Sequence, residues 1–202
     1  MVLTFGISYS SLLLDIYGGK VLRDDDGLAV SLLRSHCVFV VFLALNGVTE
    51  CYAFNVMTTE QLSKYNYVMT VMTVCFLAAT YVFAKAFGPV GFVLANCSNF
   101  AMRIAHNFYV ITKRHENAEV KPTRGLLPPL VVLTVLAISA GVTLSSERII
   151  YQAGSLKASI IHLGIGAISF VISLIVIALK DPLVSSVVME KFGRMKSRKK
   201  AD

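Results

Sequence analysis

The chain has 202 residues, of which 55% are hydrophobic and 15% charged, with a mean hydropathy of +0.69. That balance excludes an ordinary soluble globular domain and points to an integral membrane protein. The formal net charge is +7, which the membrane topology derived below accounts for without nucleic acid.

The first apolar run, Val2 to Leu14, has no basic residue before it, and the chain continues into Asp15 and Tyr17 without a small-residue cleavage site. It therefore does not read as a secretory signal. At about thirteen residues it is short for a crossing. It reads as the tail of a longer helix, and the expectation is a fragment or short form of a larger protein. Asp24, Asp25, Asp26 and Gly27 then break the chain.

Full-length apolar segments follow at 33–57, 67–87, 89–112, 126–146 and 158–179. Each offers the roughly twenty apolar residues that a crossing helix needs. Thr58 to Tyr65 reads as a polar turn, Gly88-Pro89-Val90-Gly91 as a tight hairpin connection, and Lys113 to Gly125 as the longest hydrophilic loop. Pro128 and Pro129 mark a helix start. The runs are continuous, without the period-two alternation of a barrel. The expected fold is all-α: a polytopic membrane helix bundle over residues 1–179, with five full spans, one partial N-terminal span at 2–14 and a basic tail at 180–202.

If the C-terminus is cytosolic, alternating the spans puts twelve of the 19 Lys and Arg on the cytosolic side and six opposite, with Arg103 in the membrane. This bias agrees with the positive-inside rule. The chain ends Lys199-Lys200-Ala201-Asp202, which looks like the dilysine retrieval signal of endoplasmic reticulum membrane proteins. A basic tail held at an anionic membrane surface is the alternative.

The segment from Pro89 to Thr112 carries the most informative pattern. At 100° per residue, Asn96, Asn99, Arg103, His106 and Asn107 share an arc of about 100°. A cation in mid-membrane costs roughly 2.5 to 3.5 kcal/mol, so such residues face a bundle interior or watery cavity and mark a pathway. The pattern suits an anion held inside the membrane. The preceding segment places Asn46 and Glu50 four residues apart, with Thr49 beside them. A buried carboxylate wants a partner, and Arg103 or His106 is the candidate. Either Glu50 and Arg103 form a fixed ion pair that sets helix register, or at least one of them faces a transport cavity. In the last segment Ser159, His162, Gly166, Ser169 and Ser173 share one face. This reads as a close helix interface, with His162 hydrogen-bonded to a neighbour.

Cys37, Cys51, Cys75 and Cys97 lie in apolar stretches without paired spacing, so neither a disulfide framework nor a metal site is expected. No Gly-rich phosphate loop, nucleophile elbow or paired-histidine zinc motif occurs. No catalytic residue and no cofactor is expected. The sequon Asn96-Cys97-Ser98 lies in mid-span, beyond the reach of a glycosylating enzyme.

Asn46-Gly47-Val48-Thr49-Glu50-Cys51, Lys64-Tyr65-Asn66-Tyr67, Val90-Gly91-Phe92-Val93-Leu94-Ala95-Asn96-Cys97 and Met102-Arg103-Ile104 resemble the C-terminal part of the Rft family. Leu14-Asp15-Ile16-Tyr17-Gly18-Gly19 and Leu33-Arg34-Ser35 match as well, so the likeness runs to about residue 112. Gly141-Val142-Thr143 and Ser146-Glu147 are weaker matches. The resemblance implies an endoplasmic reticulum protein that helps move a five-mannose dolichyl-diphosphate oligosaccharide from the cytosolic to the lumenal leaflet for N-glycosylation. It also implies a two-lobe flippase-like fold of which this chain supplies the later spans, paired with a first lobe or completed as a homo-oligomer. Arg103, Asn96, Asn99, His106, Asn107, Glu50 and Asn46 would then contact the lipid-linked substrate. A non-transporting scaffold in dolichol-oligosaccharide assembly, or a small solute or ion transporter, are the competing readings.

Overall fold

The computed structural model describes residues 1–23, 27–116, 128–152, 154–181 and 184–186, with side chains excluded at 20–23. Among these residues the chain is helical, with no strand. A π-helical turn, Val2–Gly6, runs into α1 (Ile7–Arg23), followed by α2 (Leu28–Val56), α3 (Thr59–Phe87), α4 (Pro89–Arg114), α5 (Leu130–Ile149) and α6 (Leu156–Lys180). The all-α expectation therefore holds. The short first run is part of a longer helical stretch that breaks at Gly19, whose φ of 52° interrupts α1.

Four described helices are long and apolar enough to cross a membrane: α2, α3, α5 and α6. The fifth expected span, α4, is not among these four. Its 26 residues reach about 39 Å, enough to cross a hydrocarbon core of about 30 Å. It falls short on apolarity, because the stripe from Asn96 to Asn107 and the terminal Lys113 and Arg114 dilute its hydrocarbon surface. Packing compensates, since α4 lies against both α2 and α3.

A correction concerns Thr58 to Tyr65, which is not a polar turn. The Gln61 backbone N–H donates to Thr58 Oγ1 at 3.3 Å and the Thr58 N–H donates to Gln61 Oε1 at 3.0 Å. This reciprocal capping box starts α3 at Thr59, eight residues earlier than hydropathy alone indicates. Pro129 caps α5 as the proline pair suggests. The tail residues Lys199 and Lys200, and most of the loop that follows Arg114, lie outside the described residues.

The chain divides into two compact units. The first holds α2, α3 and α4. Its α3–α4 hairpin turns at Gly88, with φ 60°. At Gly91 the α4 backbone approaches α3 so closely that a Cβ would strike the Phe83 carbonyl.

The second unit holds residues 3–12, α5 and α6. Its core is polar and closed. His162 is fully buried, stacked on Tyr9 at 4.3 Å and 15°. Its Nε2 faces the Ser8 carbonyl at 3.3 Å and its Nδ1 faces Ser146 Oγ at 2.8 Å. A carbonyl only accepts, so Nε2 carries the proton and Nδ1 accepts from Ser146. Ser8 meets Thr143, Ser139 meets Ser173, and Ser11 donates to Glu147. Gly166 lies under the Tyr9 ring with no room for a methyl group. The small-residue face of α6 is thus an interface within this unit, with His162, Gly166 and Ser173 fully buried in it and Ser159 and Ser169 half-buried.

Candidate functional site

In the three-helix unit a charged cluster joins all three helices. Asn46 and Glu50 stand one turn apart on α2, and the Asn46 Nδ2 donates to Glu50 Oε2 at 2.8 Å. From α3, the Tyr65 hydroxyl donates to Glu50 Oε1 at 3.1 Å. From α4, Arg103 Nη1 lies 3.8 Å from the same oxygen. Both charged side chains are about three-quarters buried, at 25% and 23% exposure. The charges neutralise each other, but 3.8 Å exceeds hydrogen-bond length. The buried guanidinium Nε has no hydrogen-bond partner.

Other members of the stripe share that condition. Among the described residues, every buried side-chain nitrogen or oxygen without a hydrogen-bond partner belongs to Asn46, Asn99, Arg103 or Asn107. Asn107 is fully buried beside the Tyr65 hydroxyl, and neither of its amide atoms makes a hydrogen bond of good geometry. Native interiors satisfy the large majority of such groups, so a cluster of exceptions in one place marks a site that expects a polar occupant. The helix-spanning core of the other unit contains no such atom among its described residues.

The sequence-derived residues separate accordingly. Asn46, Glu50 and Arg103 are brought together, and His106 packs its ring 5.5 Å from that of Tyr65. Asn99 and Asn107 bury unmatched amide atoms on the same helix. Asn96 stands apart: its Nδ2 donates to the Phe92 carbonyl of its own helix at 3.0 Å. Tyr65 was not among the residues singled out by the helical stripe. It lies in the Lys64-Tyr65-Asn66-Tyr67 motif at the start of an apolar run, where a tyrosine ordinarily reads as an interfacial anchor.

A cavity of about 480 Å³ opens beside the cluster, with Tyr65 and His106 in its wall and Lys64, Lys113 and Arg114 around it. Among the described residues no group of His, Cys, Asp and Glu is arranged to hold a metal ion. The groups gathered here are fixed cations and amide hydrogen-bond donors, which suit the binding of an anion.

Comparison with known proteins agrees with the resemblance and extends it along the chain. The family described as Rft protein matches residues 1–191. Over 147 residues the chain is 45% identical to the Man(5)GlcNAc(2)-PP-dolichol translocation protein RFT1 of Xenopus tropicalis, covering 73% of this chain and 27% of that protein. The protein of the same name from Mus musculus is 36% identical over 84% of this chain and 31% of its own length. That from Drosophila melanogaster is 37% identical over 82% and 28%. The chain thus spans about three-tenths of the length of these relatives. No solved structure matches it. With its helices, its motifs and all but its last residues covered by one family pattern, the chain belongs to the Rft family.

Proposed function

We propose that this chain forms part of a membrane pathway for a lipid-linked oligosaccharide, assisting translocation of the five-mannose dolichyl-diphosphate species between leaflets of the endoplasmic reticulum. The observation that carries the reading is the unsatisfied cluster of Arg103, Asn46, Asn99 and Asn107, buried among helices long enough to cross a membrane. A diphosphate needs its charge solvated during a crossing, while a prenyl tail can remain in lipid. Arg103 supplies the charge, and the asparagines and His106 supply donors for phosphate and sugar oxygens. The relatives' shared name as translocation proteins supports the same substrate.

Glu50 acts as the resting counter-ion. It neutralises Arg103 at 3.8 Å without occupying its Nε, so an incoming diphosphate can displace it. Tyr65 and Asn46 then hold the released carboxylate. The differential affinity of Arg103 for diphosphate over Glu50 would bias the helices toward a loaded arrangement. The role is one of binding and passage, with no catalytic step. The C-terminus is cytosolic in this reading. Because the relatives are longer, the pathway is completed by further helices, from a first lobe or a second copy.

The scaffold reading draws on the same contact, since Glu50 bound by Asn46, Tyr65 and Arg103 could simply fix helix register. Complementation separates the two. In cells lacking the family protein, a full-length relative carrying the equivalent of Arg103→Ala is expected to leave N-glycosylation defective. Full rescue by that variant would remove Arg103 from the pathway and leave the scaffold reading standing. The 202-residue chain, tested alongside, reports whether these helices suffice alone.

A further inference from the structure

The cavity beside the cluster is built differently from the cluster itself. It lies where the C-terminal ends of α2 and α4 meet the first turns of α3, with Lys64, Lys113 and Arg114 in its wall and no carboxylate among its described lining residues. Val68 and Val110 line it as well, giving it an aliphatic side. Its volume of about 480 Å³ falls within the range of small-ligand sites, roughly 300 to 1,000 Å³. That suits a headgroup and the first part of a chain.

The cations are lightly engaged. Lys64 pairs with Glu60 at 2.8 Å, but both side chains are more than three-quarters exposed, and such pairs contribute little. Lys113 lies 5.8 Å from the Tyr109 ring centroid, near the outer limit of about 6 Å for a cation–π contact. A phosphate would outcompete both arrangements.

We propose that this cavity is a phosphate-headgroup site, in which Lys64, Lys113 and Arg114 bind the phosphate of a membrane lipid whose chain lies along Val68 and Val110. Naming that lipid as a prenyl diphosphate rests on the translocation reading; the site's preference for a lipid phosphate does not. Arg103, His106, Val110 and Arg114 fall on one stripe of α4, so the site stands about 15 Å from Arg103 along the axis. That is about half the hydrocarbon thickness. Tyr65 and His106 belong to the cavity wall and also border the Glu50 cluster. The cavity is the outer of two cationic stations, and Arg103 is the inner one.

The test uses the 202-residue chain in nanodiscs of phosphatidylcholine and equilibrium binding of radiolabelled farnesyl diphosphate. Saturable binding is expected, with farnesol failing to compete. Lys113→Gln combined with Arg114→Gln is expected to weaken binding at least about tenfold and to flatten its salt dependence. Lys85→Gln, at an exposed cation in the last turn of α3 away from the cavity, should bind within about threefold of the parent. Both substituted side chains are exposed at the end of α4, so helicity and elution volume should be unchanged. Val110→Phe, which narrows the cavity and leaves every charge in place, provides a second variant and is also expected to weaken binding. Parent-like binding by both the double variant and Val110→Phe would overturn the proposal, as would competition by farnesol equal to that of the diphosphate. Discs containing phosphatidylserine separate the sources. Displacement of the probe by that lipid assigns the site to phospholipid headgroups in general, and undiminished binding assigns it to prenyl diphosphates. Full rescue by the Arg103→Ala relative with this binding intact would sink the translocation reading and leave this site in place.

Discussion

Arg103 and Glu50 stand 3.8 Å apart, close enough to cancel each other's charge and too far for the guanidinium to donate a hydrogen bond to the carboxylate. Their separation allows a structural ion pair to be told from a displaceable one by substitution. Removing one partner of a buried pair leaves an uncompensated charge and costs about 3 to 5 kcal/mol, whereas apolar replacement of both is often neutral. Glu50→Ala is expected to lower thermal stability in detergent, with the double change Glu50→Leu and Arg103→Leu recovering much of the loss. Complementation should stay defective in the double variant of a full-length relative. Recovery of both stability and glycosylation by the double change would make the pair a structural device only.

Tyr65 and Asn96 make opposite predictions. Tyr65 is buried and donates to a carboxylate, and hydrogen bonds to charged groups contribute about 1.5 to 3 kcal/mol. Tyr65→Phe is expected to destabilise by about that amount in detergent-based thermal unfolding and to weaken complementation. Asn96 is bonded to its own helix backbone, so Asn96→Ala should change neither by more than about 0.5 kcal/mol in stability or about twofold in activity. An Asn96 variant as damaging as Tyr65→Phe would return Asn96 to the site.

The fold was legible wherever hydropathy and covalent geometry agreed. Continuous apolar runs located α2, α3, α5 and α6, and Gly88-Pro89 located the α3–α4 turn. The start of α3 escaped because polarity reads as a loop, whereas Thr58 and Gln61 use their polar groups to cap a helix. The site was legible in part because a helical wheel reports the face of one helix. It grouped Arg103 with Asn107 and Asn46 with Glu50. It is blind to partners on a third helix, so Tyr65 went unseen, and to rotamers, so the turn of the Asn96 amide onto its own helix went unseen too.

Ser146→Ala tests the closed polar core of the other unit. The change strips the hydroxyl that satisfies the His162 Nδ1, and an unpaired buried polar atom costs about 1 to 3 kcal/mol. The expected result is a lower unfolding temperature with parent-like farnesyl diphosphate binding, since these residues touch neither cationic station. Unchanged stability would mean that the imidazole is satisfied by some route other than Ser146.

Glycine substitutions in that unit should diverge in sign. Nothing stands within 4 Å of a Cβ at Gly141, whereas at Gly166 the Tyr9 ring fills the space. Gly141→Ala is expected to stabilise by about 0.5 to 1 kcal/mol through helix propensity. Gly166→Ala should destabilise by about 1 to 3 kcal/mol through overpacking. Thermal unfolding of the two variants side by side checks both, and a stabilised Gly166→Ala would show that Tyr9 yields easily.

The contact at Gly91 also governs what can move. With backbone laid against backbone at Phe83 and a two-helix turn drawn tight at Gly88, α3 and α4 behave as a single stiff lever. Tyr65 and Arg103 ride on that lever together, while Asn46 and Glu50 ride on α2. Any change in the backbone separation between Arg103 and Glu50 therefore falls on the seam between α2 and α4, which the Glu50 carboxylate spans.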